Sequence, residues 1–339
     1  MKILFEQQNF FHPSVIPYRG KLMMVMQKQI AMDRYAVPVF TFSENNGADW
    51  SEPTEIPTLK GYEKCADFRP LPLPDDRTAG IIGLIKRGNG YKTVYLTYDG
   101  KWSEPEEIQG MTHDDDRAAG TQIAVSPDGL LTIPFFQFIE KRYFSTVTRK
   151  YRLEGKKLIH LESGMPLIST VGRGWYEPSV IWLDGIFYLT LRCDENCAML
   201  ARSPDGLHWS EPQKWTFSDG SLLETGPTQQ HWMHLDNKLW LVYTRKAECN
   251  EDCFRWRTPM FAAPVDPEKM QLMKEKEIIV LPRIDYKTRP GLYGNFHVEN
   301  CKDKVYISDA LLWFDWTPDR EAIAWFSTSV IMKEITFQP

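Results

Sequence analysis

The tetrapeptide Trp-Ser-Glu-Pro occurs three times in this chain, at residues 50–53, 102–105 and 209–212. The first two copies start 52 residues apart, and the second and third 107 apart, which is two steps of about 53. A fixed step of this size marks stacked supersecondary units that bury their apolar faces only against each other. The 339 residues divide into a little over six such steps, with one tag lost between the second and third copies. A closed array of this kind uses the whole length, so the expectation is one domain over residues 1–339.

Between the tags the chain runs in short apolar segments with turn punctuation, such as LMMVMQ, AVPVFTF, TVYLTY, LLTIPFFQF, IFYLTLR and LWLVYTR. These read as strands. No segment sustains helical periodicity over three turns, although 266–276 suits a short helix. One unit reads PSVIWLDGIFYLTLRCDENCAMLARSPDGLHWSEP: strand, Asp-Gly turn, strand, loop, strand, Ser-Pro-Asp-Gly turn, tag. The first unit opens HPSVIPYRGKLMMVMQ on the same plan. The register is roughly 10–53, 70–108, 114–160, 175–215, 225–270 and 291–338. The expected fold is all-β, a six-bladed β-propeller of four-stranded antiparallel blades, with MKILFEQ closing the ring onto the last unit. In the Asp-Gly-x-x-Trp turns, Asp bonds backbone N–H groups, Gly supplies positive φ and Trp packs between blades, so these turns are structural.

Composition narrows the partners. The net charge is −5 with no long basic run, which leaves no electrostatic footprint for nucleic acid. No apolar run reaches the roughly 20 residues of a membrane span. Glu6 interrupts the first apolar stretch, so a signal-peptide core is not expected and the location expected is cytoplasmic. Of the six cysteines, Cys193 with Cys197 and Cys249 with Cys253 bracket acidic tripeptides. Four thiolates would suit zinc. The spacing is not that of a zinc knuckle, and the reading preferred is solvated hairpin tips with unpaired or facultatively bridged thiols. Asp114, Asp115 and Asp116 read as a solvated acidic loop rather than a cation site. No metal and no cofactor is expected.

The S-x-D-x-G-x-x-W-like turns resemble the Asp boxes of the sialidase (neuraminidase) superfamily, whose members are six-bladed propellers. The resemblance extends to positions that carry chemistry there. Glu177 opens a unit, a hairpin follows through Asp184-Gly185, Arg192 ends the second strand, and Ser203-Pro204-Asp205-Gly206 supplies the box. In the next unit Tyr243-Thr244 precedes Arg257, with Arg255 and Arg245 as competing positions. Tyr293, in Gly291-Leu292-Tyr293-Gly294, stands where the family has its nucleophile, and Asp33 where it has its acid. One position departs: the family opens its first unit with an arginine of a carboxylate-clamping triad, and this chain has His12. One imidazole cannot reproduce a bidentate guanidinium–carboxylate pair, which leaves the sugar open.

What the resemblance implies is an exo-acting, retaining glycoside hydrolase with a carbohydrate substrate. Tyr293 would be the nucleophile, Glu177 its base and Asp33 the acid, with Arg192 and Arg257 on a terminal, anionic sugar. His12 would bind substrate or act as acid or base. Arg34, Arg77, Arg117, His231 and His297 lie near the same rim and are secondary substrate contacts. Two other readings stay open. A propeller lyase or unusual glycosidase for uronate-containing glycans would use His12, His231 or His297 with a tyrosine and an arginine. A non-catalytic glycan-binding propeller would need none of this chemistry.

Overall fold

The computed structural model describes residues 1–31, 34–59, 62–73, 78–86, 90–112, 116–118, 120–139, 142–301, 304–314 and 326–336. Their strands form six antiparallel sheets of four or five strands, plus a separate hairpin of Asp285–Tyr286 with Arg289–Pro290. The sheets start on Phe10–Tyr18, Tyr62–Pro72, Ala124–Val125, Tyr176–Leu183, His231–Leu235 and His297–Asn300. Five of them run outward in chain order. The last takes its outer strand from the N-terminus: Lys2–Leu4 pairs with Phe326–Thr336, Lys2 opposite Met332 and Leu4 opposite Val330. The expected closure by MKILFEQ therefore forms, and it ties the first residues to the last sheet.

The six starting strands surround one cavity of about 510 Å³, which Ser14, Leu71, Ala124, Ile181, His234 and Asn300 line, one from each sheet. This is the arrangement of a β-propeller. Gln122 reaches across it, donating from Nε2 to the Trp232 and Val298 carbonyls at 2.9 and 3.2 Å. Apolar faces pack sheet against sheet; Trp215 and Trp232, both fully buried, meet with ring centroids 5.6 Å apart.

The repeated tags lie where neighbouring sheets meet. Trp209 Nε1 donates to Thr148 Oγ1 at 2.9 Å, and Trp102 packs edge-on to Phe40 and Phe68. In the turn before Trp209, Asp205 Oδ1 accepts the Leu207 and His208 N–H groups at 2.9 and 2.8 Å. The helix expected over 266–276 does not form. Strand Met260–Asp266 is followed by the short strand Gln271–Leu272 and a single 3-10 turn, Lys274–Lys276. Asp266 Oδ1 accepts the Glu268 and Lys269 N–H groups at 3.1 and 3.0 Å, which closes a tight turn where a helix would have to start.

Candidate active site

Two inner strands open in the same way. Along Phe10–Tyr18 the pairing runs from Phe11 opposite Gln27 to Ser14 opposite Val25, so His12 and Pro13 together face one residue. Along Tyr176–Leu183 it runs from Tyr176 opposite Arg192 to Ser179 opposite Thr190, and Glu177 and Pro178 bulge identically. His12 and Glu177 both take positive φ, +49° and +45°. A bulge at a strand opening re-aims the side chain it carries. Non-glycine residues held at positive φ cost on the order of 1–2 kcal/mol, and such strain gathers at functional sites. The shared string Pro-Ser-Val-Ile after each residue is what makes the two openings alike.

Glu177 Oε2 accepts a hydrogen bond from Arg192 Nη1, and the two side chains are 20% and 8% exposed. Register explains the meeting, because Arg192 ends the strand whose partner residue is Tyr176. The Tyr176 ring lies under the Arg192 guanidinium at 4.8 Å. Gly120 makes room for Glu177: at φ +67°, a Cβ there would stand 3.1 Å from Glu177 Cγ and 2.5 Å from Gln229 Nε2. Arg257 is the second cation. Burial, together with the charges of Arg192 and Arg255, pushes it down to about 10. Its Nε is buried and makes no hydrogen bond among the described residues. The backbone at Gly294 packs against it, so that a Cβ would lie 3.3 Å from Arg257 Nε. Asp309, fully buried, is the nearby anion; burial pushes its carboxyl up to about 7.

A second group lines the axial cavity, which Glu177, Arg192 and Arg257 do not. Arg69, His231 and His297 line the cavity, and Arg69 contacts His297 Nδ1. The imidazoles of His231 and His297 stack with centroids 6.4 Å apart. Burial, with the Arg69 charge added, holds both histidines well below their ordinary value, so both are neutral. His231 Nδ1 shares a hydrogen bond with Ser179 Oγ at 2.8 Å. His12 Nδ1 bonds Gln27 Oε1 at 2.9 Å, with the Tyr35 ring tilted against the imidazole, centroids 4.9 Å apart.

The structure thus joins Glu177 to Arg192, with Arg257 within reach of their charges, and it gathers Arg69, His231 and His297, while His12 does not line that cavity. It does not bring Tyr293 to Glu177. The Tyr293 hydroxyl donates to the Pro282 carbonyl at 2.6 Å, and its ring is 1% exposed in a core with Met233, Val242 and Phe296. Burial and the Asp309 charge raise this phenol far above its ordinary value, the opposite of an activated nucleophile. Arg245 is also removed from contention, since its guanidinium is paired with Glu277 at 2.6 Å. Arg255 stacks over Phe254 at 4.8 Å. Arg117 stands 5.6 Å over the Phe144 ring rather than lining the axial cavity. Asp33, Arg77, Asp114 and Asp115 lie outside the described residues, as does the side chain of Arg34. Asp116 is no solvated cation ligand: it forms an internal pair with Arg149 at 2.7 Å, both side chains 1% exposed.

The cysteine loops also differ from expectation. Cys193 and Cys197 are buried rather than solvated, their sulfurs in hydrogen-bond contact at 3.6 Å with no disulfide between them, while Cys249 is exposed and Cys253 buried. The loop turns inward because Asp194 takes hydrogen bonds from Arg173 Nε at 2.8 Å and from the Tyr176 hydroxyl at 2.7 Å.

Two residues escaped the sequence reading. Arg69 precedes Pro70 on an inner strand, as His12 precedes Pro13 and Glu177 precedes Pro178, and that shared X-Pro pattern is a usable signal. Asp309 is a lone carboxylate inside the apolar run of strand Lys304–Phe314, another readable anomaly.

No protein-family model matches the sequence, and no curated protein matches it. Solved structures do match. Trypanosoma rangeli sialidase, in complex with the inhibitor DANA, has a TM-score of 0.64 at 14% identity over 96% of this chain and 55% of its own. The NanB sialidase from Streptococcus pneumoniae has a TM-score of 0.67 at 11% identity, covering 97% and 69%. A protein of unknown function from Dyadobacter fermentans has a TM-score of 0.65 at 15% identity, covering 98% and 97%. The chain spans about half the length of the Trypanosoma rangeli enzyme. At such identities the likeness is one of fold, and the fold of this chain is that of a sialidase-like propeller.

Proposed function

We propose that this chain is an exo-acting glycosidase of the sialidase type, acting on a terminal sugar that bears a carboxylate. Its six sheets are read as six blades, and the rim opened by His12 and Glu177 as the substrate face. The observation that carries this reading is the charge at the rim. The Arg192 charge adds to burial in depressing Arg257, yet Glu177 hydrogen-bonds only Arg192, and Arg257 Nε lacks a partner among the described residues. Holding a guanidinium there without a bonded counter-ion is costly, and a ligand carboxylate offsets that cost. The sialidase structures support the assignment by analogy of fold, one of them being in complex with sialic acid.

In this reading Glu177 is the base and Asp33, by its place in the sequence, the acid. The Tyr293 hydroxyl is engaged with Pro282, so the attacking group is water: Glu177 takes its proton, the oxygen bonds the anomeric carbon, and Asp33 protonates the departing oxygen. The product then has inverted configuration, in contrast to the retaining outcome the family resemblance implies. A panel of sialosides and uronides, followed by proton NMR of the first-formed anomer, tests it. Failure to turn over any carboxylate-bearing glycoside refutes the proposal.

A second reading rests on the convergence of Arg69, His231 and His297 at the axis. A lyase for uronate-containing glycans would set a neutral imidazole to abstract the proton next to the carboxylate. Such elimination leaves a double bond conjugated to the carboxylate, and absorbance in the near ultraviolet distinguishes it from hydrolysis.

A further inference from the structure

Arg257 is held by a turn, and the turn is held by Asp309. The Arg257 carbonyl accepts the Tyr293 N–H at 3.0 Å, and the next residue, Gly294, packs against the guanidinium. Asp309 Oδ2 accepts the Gly294 N–H at 2.8 Å, and its Oδ1 accepts the Ala310 N–H at 2.7 Å. The carboxyl has no exposure to solvent and makes no hydrogen bond to Arg257, although their charges act on each other.

We propose that Asp309 is the positioning residue of the Arg257 clamp: it anchors the turn on which the guanidinium rests and, as an internal anion, competes with a bound carboxylate for Arg257. This rests on the anion-binding reading of the rim. When Asp309 is protonated, Arg257 presents its full charge to the ligand. When Asp309 ionises, part of that charge is answered from within, and ligand affinity falls. Its carboxyl, pushed up to about 7 by burial, changes state in the neutral range. Arg257 and Tyr293 face it from the adjoining loop and turn, and the first strand, which carries His12, packs alongside through Ser308 Oγ, which bonds the Pro13 carbonyl at 2.7 Å. His231 and His297 are neutral throughout that range.

The sign follows from linkage. A carboxyl raised in the folded state binds its proton more tightly there than in the unfolded chain, so its contribution to stability is lost as pH rises through about 7. Arg257 limits that loss by favouring the anion. Replacing it, as Arg257→Met, is therefore expected to change the melting temperature more favourably at pH 6 than at pH 8.5, by about 3 °C or more. In an Asp309→Asn background, which keeps an acceptor for Gly294, the Arg257→Met effect is expected to be the same at both pH values. If Asp309→Asn does not fold, the wild type and Arg257→Met alone still read the coupling. The second measurement is calorimetric titration with sialic acid and with glucuronate. Affinity is expected to fall on the order of tenfold between pH 6 and pH 8.5, and less than about twofold in Asp309→Asn. An Arg257→Met effect that does not vary with pH overturns the role given to Asp309. Absence of carboxylate binding at every pH refutes competition and the proposed function together, whereas binding without a pH slope refutes competition alone.

Discussion

Tyr293→Phe sets the family resemblance directly against the geometry. The substitution removes one hydroxyl, whose hydrogen bond to the Pro282 carbonyl is 2.6 Å long. The ring stays in its pocket among Met233, Val242 and Phe296, so no cavity forms. A hydrogen bond at such a half-buried carbonyl contributes about 1 kcal/mol net. For a chain of this length that corresponds to a fall in melting temperature of roughly 2 °C. Turnover of a carboxylate-bearing glycoside is expected to stay within about twofold of wild type, since the phenol is not at the reacting centre. Loss of a nucleophile instead removes on the order of a thousandfold or more from kcat, with little change in stability. Differential scanning fluorimetry and initial-rate kinetics on the same preparation separate the two outcomes. A folded Tyr293→Phe protein with kcat reduced a thousandfold would refute the assignment of Tyr293 to the core.

Three further outcomes are expected. Glu177→Gln leaves Arg192 8% exposed without an anion, which should lower stability by about 1–3 kcal/mol and abolish turnover; unchanged turnover in the kinetic assay removes Glu177 from the mechanism. Gly120→Ala puts a methyl group 2.5 Å from Gln229 Nε2 at φ +67°, so a cost of about 1–2 kcal/mol by chemical denaturation should accompany a drop in activity, because Glu177 is displaced. Asp194 is held down at about 2 because hydrogen bonds from Arg173 and Tyr176 outweigh the opposing effect of burial. Its contribution, at most about 2 kcal/mol, is present above pH 4 and lost as pH falls through 2, so Asp194→Asn should flatten the stability curve over that interval of an acid titration.

Much of the architecture is legible because each unit repeats the same turn chemistry. The tags and Asp-Gly turns locate the sheets to within a few residues in most cases, as for 175–215 against strands from Tyr176 to Lys214. The second sheet starts earlier than its expected boundary at 70, on Tyr62, because its first strand carries charged residues in place of an apolar run. Glu177 and Arg192 were readable for a local reason: they bracket one hairpin, and hairpin register brings strand ends together. Tyr293 was not, because its position in the chain says nothing of which way the phenol turns. That direction is set by the Pro282 carbonyl on a different segment and by core residues from two sheets. Arg69 and Asp309 illustrate the same divide. Each is visible as an anomaly in its own strand, but what each touches is a matter of three-dimensional packing.

The matching bulges at His12 and Glu177 explain how a site of this kind changes its chemistry without changing its fold. Both residues sit on the same local backbone, followed by the same Pro-Ser-Val-Ile string, and in each case the serine is buried. The backbone strain is carried by the bulge and not by the side chain it presents, so the opening is a slot that accepts different chemistry at similar structural cost. In one slot a carboxylate meets Arg192. In the other an imidazole is fixed by Gln27 and flanked by Phe11 and Tyr35, rings that suit a flat side chain and leave little room for a long one. A guanidinium in that second slot would add a third cation to a rim where Arg257 is already depressed by its neighbours. His12 keeps that repulsion down. Under the proposed function, the expected consequence is a looser hold on a ligand carboxylate than three arginines would give, with selectivity resting on the rest of the sugar.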